Sequence, residues 1–185
     1  MEVVGFMACL KTLRIEIIKG GKVPSDQLSM LDALEYLHIG LWYDLEYFPE
    51  NVLESLTSLQ TLSIANCKNL KSLSEGVGHL ACLQNLIISE CPELVALPSN
   101  MSQLTVLRKV SIDSCSTLPY GLQFVPSLRT LDIESCMSTS LPDWLGDMTT
   151  LEELSIGFCK KLRSLPSSIQ RLTNLSYLSI HCCLI

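Results

Sequence analysis

The sequence predicts an α/β repeat solenoid, with a parallel β-sheet on the concave face and short 3₁₀ or irregular segments on the convex face. Three observations carry that prediction. The phrase LxxLxxLxIxxCxxLxxLP recurs along the chain of 185 residues in about eight copies, 21 to 25 residues apart. A period of that length marks stacked units that bury a shared core. Inside each copy, the apolar spacing changes from two, which a strand requires, to three, which suits a 3₁₀ turn.

The strand is the most regular part. Each copy opens at Leu10, Leu34, Leu59, Leu83, Leu107, Leu128, Leu151 or Leu175. Three residues on stand Leu13, Leu37, Leu62, Leu86, Val110, Leu131, Leu154 and Leu178, and two further on an isoleucine in every copy, Ile15 through Ile180. The spacing of two places both side chains on one face of a strand, and the β-branched isoleucine favours that conformation. Leu and Ile are therefore expected to point inward and the residues between them outward.

Three residues past the isoleucine the strand must end. Cys67, Cys91, Cys115, Cys136, Cys159 and Cys183 occupy that column, preceded by Ile18 and Trp42 in the first two copies. A cysteine offers a small apolar body and a weak S–H donor. A file of buried thiols along one edge of the sheet is expected. The second copy also gathers Tyr43, Tyr47 and Phe48 around Trp42, which reads either as a bulkier core or as an aromatic contact patch.

The returning segment carries apolar residues six and three positions before the next opening leucine. Val4, Leu28, Leu53, Val77, Met101, Leu122, Leu145 and Ile169 form one column, and Met7, Leu31, Leu56, Leu80, Leu104, Val125, Met148 and Leu172 the other. Pro98, Pro119, Pro142 and Pro166 stand just before this turn, with Pro24 and Pro49 one residue out of line, where a fixed φ is tolerated. Gly20-Gly21 reads as a turn, and the shortened fifth copy, CSTLPYGLQFVPSL, predicts a local change in curvature. All of 1–185 reads as one repeat domain, a fragment in which neither end supplies the polar cap that an array needs.

Composition limits the function classes. Apolar residues make up 48% and charged residues 17% of the chain, which excludes disorder. No run of 18 apolar residues is present, so no membrane-spanning helix is expected. A net charge of −6 disfavours nucleic acid and anionic membrane surfaces as partners. Of the nine cysteines, six recur at equivalent positions, where parallel Cβ vectors are poorly directed for disulfides. Reduced structural thiols and a reducing, cytoplasmic compartment follow. No phosphate-binding glycine loop, HExxH or paired CxxC set occurs, and His38, His79 and His181 are scattered over different copies. No enzyme, metal or cofactor is expected. The N-x-[ST] matches at Asn100 and Asn174 are weak motifs.

The outward strand positions are the surface on which function is expected. Just after the opening leucine run Lys11, Glu35, Gln60, Gln84, Arg108, Arg129, Glu152 and Ser176, and beside them Thr12, Tyr36, Thr61, Asn85, Lys109, Thr130, Glu153 and Tyr177. The middle of the arc sets Arg108, Lys109 and Arg129 against Glu90, Asp113, Asp132 and Glu134. Such charges either pair across the ladder or orient a protein partner. The candidate protein-binding set is Tyr36, His38, Arg108, Lys109, Asp113, Arg129, Asp132, Glu134, Glu152, Glu153, Phe158 and Tyr177.

Three details narrow the kind of repeat: the cysteine closing the strand, the CxxLxxLP link from Cys91 to Pro98 and from Cys159 to Pro166, and the LTxL lead-in at Leu56, Leu104 and Leu172. In these the chain resembles the leucine-rich repeats of plant intracellular nucleotide-binding disease-resistance receptors. The resemblance implies a non-catalytic leucine-rich repeat solenoid that senses pathogen effectors or guarded host proteins in the defence response. It also implies an upstream nucleotide-binding domain, which binds ADP or ATP in that family and has no counterpart in these residues. The alternative reading is a free-standing leucine-rich repeat scaffold or adaptor for substrate selection or signalling.

Overall fold

The computed structural model describes residues 9–16, 28, 30–48 and 52–185. Val4, Met7, Ile18, Gly20, Gly21, Pro24 and Pro49 lie outside the described residues. Eight strands follow one another in chain order: β1 (Thr12–Glu16), β2 (Tyr36–Gly40), β3 (Thr61–Ala65), β4 (Asn85–Ser89), β5 (Lys109–Asp113), β6 (Thr130–Glu134), β7 (Glu153–Gly157) and β8 (Tyr177–His181). They form one sheet in the order β1 to β8, and every pair is parallel.

The register is that of the repeat columns. Leu62 faces Leu86, Leu86 faces Val110 and Val110 faces Leu131, while Ile64, Ile88, Ile112 and Ile133 form the second inward row. These rows are fully buried from β2 to β7. At β8, which has a strand on one side only, Leu178 and Ile180 of the same rows are exposed. Burial is thus supplied by the neighbouring copy, as a one-dimensional stack requires.

Short 3₁₀ segments return the chain over the convex side at Glu75–His79, Ser99–Gln103, Leu122–Phe124, Asp143–Asp147 and Ser167–Arg171. Val77, Met101, Leu122 and Leu145 are buried there, with Leu80, Leu104, Val125, Met148 and Leu172 three residues on. Pro98, Pro142 and Pro166 each immediately precede their segment. In the shortened fifth copy Gly121 does so instead, at φ 114°, a conformation open to glycine. The β5–β6 register continues without a break, so the shortening is absorbed in a three-residue convex segment.

The cysteine column is buried at Cys67, Cys91, Cys115, Cys136 and Cys159, with Trp42 buried at the same position of the second copy. Trp42 and Phe48 join the core while Tyr43 and Tyr47 are exposed, so the aromatic group divides between both readings. All nine cysteines are free thiols. The Sγ of Cys91, Cys115 and Cys159 lies 3.3 to 3.5 Å from the carbonyl oxygen two residues earlier, at Ser89, Asp113 and Gly157. Burial pushes the thiols of Cys115 and Cys159 up to about 11 and raises that of Cys136. Cys91, which shares a hydrogen bond with the Cys67 thiol and is buried, is also raised. These groups are held protonated as small core residues.

The residue before each of these corner positions is left-handed in seven copies: Leu41, Asn66, Glu90, Ser114, Ser135, Phe158 and Cys182 have φ between 51° and 58°. Their N–H groups, from Leu41 to Phe158, donate to the last strand residue of the next copy at 2.9 to 3.0 Å, as Ser114 does to the Glu134 carbonyl and Phe158 to that of His181. The left-handed turn is what aims the amide along the stack, so otherwise orphaned donors are satisfied as the strand ends.

Candidate functional site: the concave sheet

Each strand presents its outward residues between the buried Leu and Ile, so adjacent copies lay them in rows about 4.8 Å apart. Along the strand entry run Arg108, Arg129 and Glu152. The next row carries Tyr36 at β2, then Lys109, Thr130, Glu153 and Tyr177 from β5 to β8. Asp132 stands in the middle row, and Asp113, Glu134, Gly157 and His181 form the exit row. The sequence-predicted set therefore divides. Tyr36 and His38 on β2 are separated by β3 and β4 from the rest, which gather on β5 to β8.

His38 departs from the exposed position expected of it. Its ring is only 8% exposed, and Nδ1 lies 3.0 Å from the Oγ of Ser63 in the same row of β3. The cause is Gly40, whose missing side chain leaves room for the ring: a Cβ there would lie 2.9 Å from His38 Nε2. Burial, with the Arg14 guanidinium nearby and against the opposing pull of Glu16, holds the imidazole below its ordinary pKa. His38 is thus a neutral ring closing a polar contact between strands, and it is withdrawn from the surface available to a partner.

The opposed charges pair across the ladder. Lys109 Nζ reaches Asp132 Oδ2 at 2.7 Å, which also accepts from Ser111 Oγ at 3.3 Å. Arg129 pairs with Glu152 at 2.5 Å, and Thr130 donates to Glu153 at 3.3 Å. The guanidinium of Arg108 has no carboxylate partner among the described residues. Pairs this exposed contribute about 0.2–1 kcal/mol each, so they fix the orientation of charge more than the stability of the sheet.

The exit row shows what the sequence reading missed. A Cβ on Gly157 would fall 2.3 Å from Glu134 Oε2 and 2.4 Å from His181 Nε2. Glu134 of β6 and His181 of β8 therefore meet above β7, at 3.6 Å, through a gap that glycine leaves. The edge of the His181 ring packs on the exposed Phe158 ring, with centroids 5.4 Å apart at 88°. Glycine between Glu134 and His181 in the exit column was the available signal.

Among the described residues no group of three or more His, Cys, Asp or Glu is placed to hold a metal ion. No helix among them is long and apolar enough to cross a membrane. The side-chain amides of Asn100 and Asn174 each donate to a backbone carbonyl at 2.7 Å, Glu75 and Thr149 respectively, so both N-x-[ST] asparagines are engaged in joining neighbouring copies.

Comparison with known proteins agrees with this architecture. Residues 66–184 match the family model described as leucine-rich repeat region. A leucine-rich repeat protein of Leptospira interrogans is 24% identical with a TM-score of 0.66, over 94% of this chain and 49% of that one. The leucine-rich repeat domain of the type III effector XopL is 22% identical with a TM-score of 0.64, over 89% and 66%. A chain of the Drosophila Toll–Spätzle complex is 19% identical with a TM-score of 0.66, over 95% of this chain and 27% of that one. The chain spans about half the length of the first of these structures and less than two thirds of each. No curated protein matches the sequence.

Proposed function

The chain belongs to the leucine-rich repeat region family, a non-catalytic protein-interaction module, and from that premise we propose that it is the recognition module of a plant intracellular immune receptor. Its concave sheet reads a pathogen effector or a guarded host protein, and the chain is one part of a longer receptor that carries a nucleotide-binding domain upstream. The observation that carries this reading is the charged array on β5 to β8, where Lys109, Asp132, Arg129 and Glu152 are held in fixed pairs on a rigid ladder. Preorganised charge of this kind confers specificity on a protein partner. Buried thiols held protonated at Cys91, Cys115, Cys136 and Cys159 suit a reducing compartment, and we place the protein in the cytoplasm. The CxxLxxLP and LTxL details that resemble the plant receptors support the finer assignment.

Sequencing the transcript upstream of Met1 tests it. An in-frame nucleotide-binding domain is the expected result. An independent start without such a domain would replace this reading with that of a free-standing scaffold or adaptor.

A further inference from the structure

A second surface lies beyond the exit ends of β6 and β7, beside the concave sheet, and is independent of the receptor reading. Ser135, Cys136, Met137, Phe158, Lys160 and Lys161 line a cleft of about 420 Å³ there. Two of its walls are large apolar side chains left open to solvent: Met137 is 55% exposed and Phe158 49%.

Phe158 is the more informative of the two. It occupies the left-handed corner at φ 53°, where a bulky side chain is unfavourable. Of the seven left-handed corner residues, only Phe158 is a large hydrophobic residue that is also exposed. The backbone turn recurs at seven corners, and Asn66, Ser114 and Ser135 make it equally well. The Phe158 ring packs on His181 on one side and leaves about half its surface open to solvent on the others, and an exposed aromatic of this kind is a mark of a contact site.

Charge supplies the second observation. In this acidic protein the basic side chains are mostly neutralised: Lys68, Lys71, Lys109, Arg129 and Arg171 each sit in an ion pair with a carboxylate. Among the described residues Arg108, Lys160, Lys161 and Arg163 have no such partner. Three of these, Lys160, Lys161 and Arg163, lie within four residues at the corner of the seventh copy, and Lys160 and Lys161 line the cleft itself. An uncompensated basic group against an overall charge of −6 raises the local concentration of anionic ligands. The apolar walls distinguish that ligand from a bare polyanion.

We propose that this cleft docks an acidic segment of a partner protein, seating one aromatic side chain between Met137 and Phe158 while flanking carboxylates meet Lys160 and Lys161. The thioether of Met137 and the ring of Phe158 suit an aromatic anchor. The lysines orient the segment and accelerate its encounter.

The test is a fluorescence anisotropy titration of the whole chain with labelled peptide Gly-Asp-Glu-Phe-Asp-Glu-Gly. Two control peptides accompany it, one with Asn and Gln for the acids and one with Ser for Phe. The acidic aromatic peptide is expected to bind saturably and both controls more weakly. Lys160→Glu with Lys161→Glu, and separately Phe158→Asn, which retains a residue suited to the left-handed corner, should each weaken binding by about tenfold or more. Raising salt from about 0.05 M to about 0.5 M should weaken it further. Lys71→Glu, at the corner of the third copy and outside both the cleft and the concave rows, should leave affinity unchanged. The proposal is overturned by absence of saturable binding, by equal affinity for either control, or by equal loss in Lys71→Glu. An oligodeoxynucleotide of similar charge that binds as tightly at the same lysines would reassign the cleft to anions in general. Circular dichroism of each variant separates lost binding from lost structure.

Discussion

The fourth and seventh copies have nearly the same interior and different exteriors. Leu86, Ile88, Cys91, Leu94, Met101 and Leu104 in the fourth are matched by Leu154, Ile156, Cys159, Leu162, Ile169 and Leu172 in the seventh, buried or packed on the core. Outside, the fourth presents Asn85, Ile87 and Ser89 with Glu90 at its corner, 3.9 Å from Lys68. The seventh presents Glu153, Ser155 and Gly157, then exposed Phe158 and two unpaired lysines. Inward chemistry is therefore free to repeat, because each copy solves the same packing problem. Outward chemistry departs from the pattern where the fold makes no demand, as at Phe158 and the two lysines that follow it.

A cavity in the core has the greatest consequence for either copy. Leu86→Ala and Leu154→Ala should each cost about 2–5 kcal/mol, since both side chains are completely enclosed, whereas Gln84→Ala should cost under about 0.5 kcal/mol. Denaturant titration of the three variants measures it. A Gln84→Ala loss as large as that of Leu86→Ala would mean that inward and outward rows are not distinct.

Next in size is the pH response of the corner thiols. The folded pKa of Cys115 and Cys159 lies near 11, above the ordinary value of 9.0. The folded state thus holds these protons more tightly than the unfolded chain, which begins to release them near pH 9. Stability from these thiols is complete below pH 9 and declines as the pH rises through about 11, by roughly 1–3 kcal/mol per thiol. The unfolding midpoint should fall between those pH values, and fall less in a Cys115→Ala, Cys159→Ala double variant. An identical decline in both proteins would remove the thiols from the account.

The corner backbone gives a smaller effect of opposite sign. Ser135 is left-handed at φ 52°, and Ser135→Gly should stabilise the chain by about 0.5–1 kcal/mol by relieving that conformation. A thermal melt shows it as a raised Tm; a lowered one would mean that the serine side chain contributes more than its backbone strain removes. The smallest effect belongs to the surface pairs. Lys109→Gln should change stability by about 0.2–1 kcal/mol, read by the same melt.

Most of the fold was legible because the repeat states it several times. An isoleucine two residues after each inward leucine specified the strand and its register, and apolar pairs spaced by three specified the 3₁₀ return. The left-handed corner was not legible, since Leu41, Asn66, Glu90, Ser114, Ser135, Phe158 and Cys182 have no residue type common to all. Six of the seven amides donate to the next copy, and Cys182 beside the last strand keeps the same turn, so the conformation belongs to the repeat's corner and not to a residue preference. The candidate site was legible as a set of outward rows but not as contacts. Whether His38 faced solvent depended on the space left by Gly40, and the meeting of Glu134 with His181 depended on Gly157 in an intervening strand. Relations across three copies are absent from a pattern read one copy at a time.

Inward rows make the fold, and outward rows are free for recognition. The denaturant unfolding free energy of a chain with Lys109→Glu, Asp132→Lys, Arg129→Glu and Glu152→Arg together separates the two roles. These changes exchange the charges of both ladder pairs while leaving each pair opposed. Cooperative unfolding within about 1 kcal/mol of the parent is the expected result. A loss of several kcal/mol, or failure to fold, would contradict it by showing that the outward rows specify the structure as well.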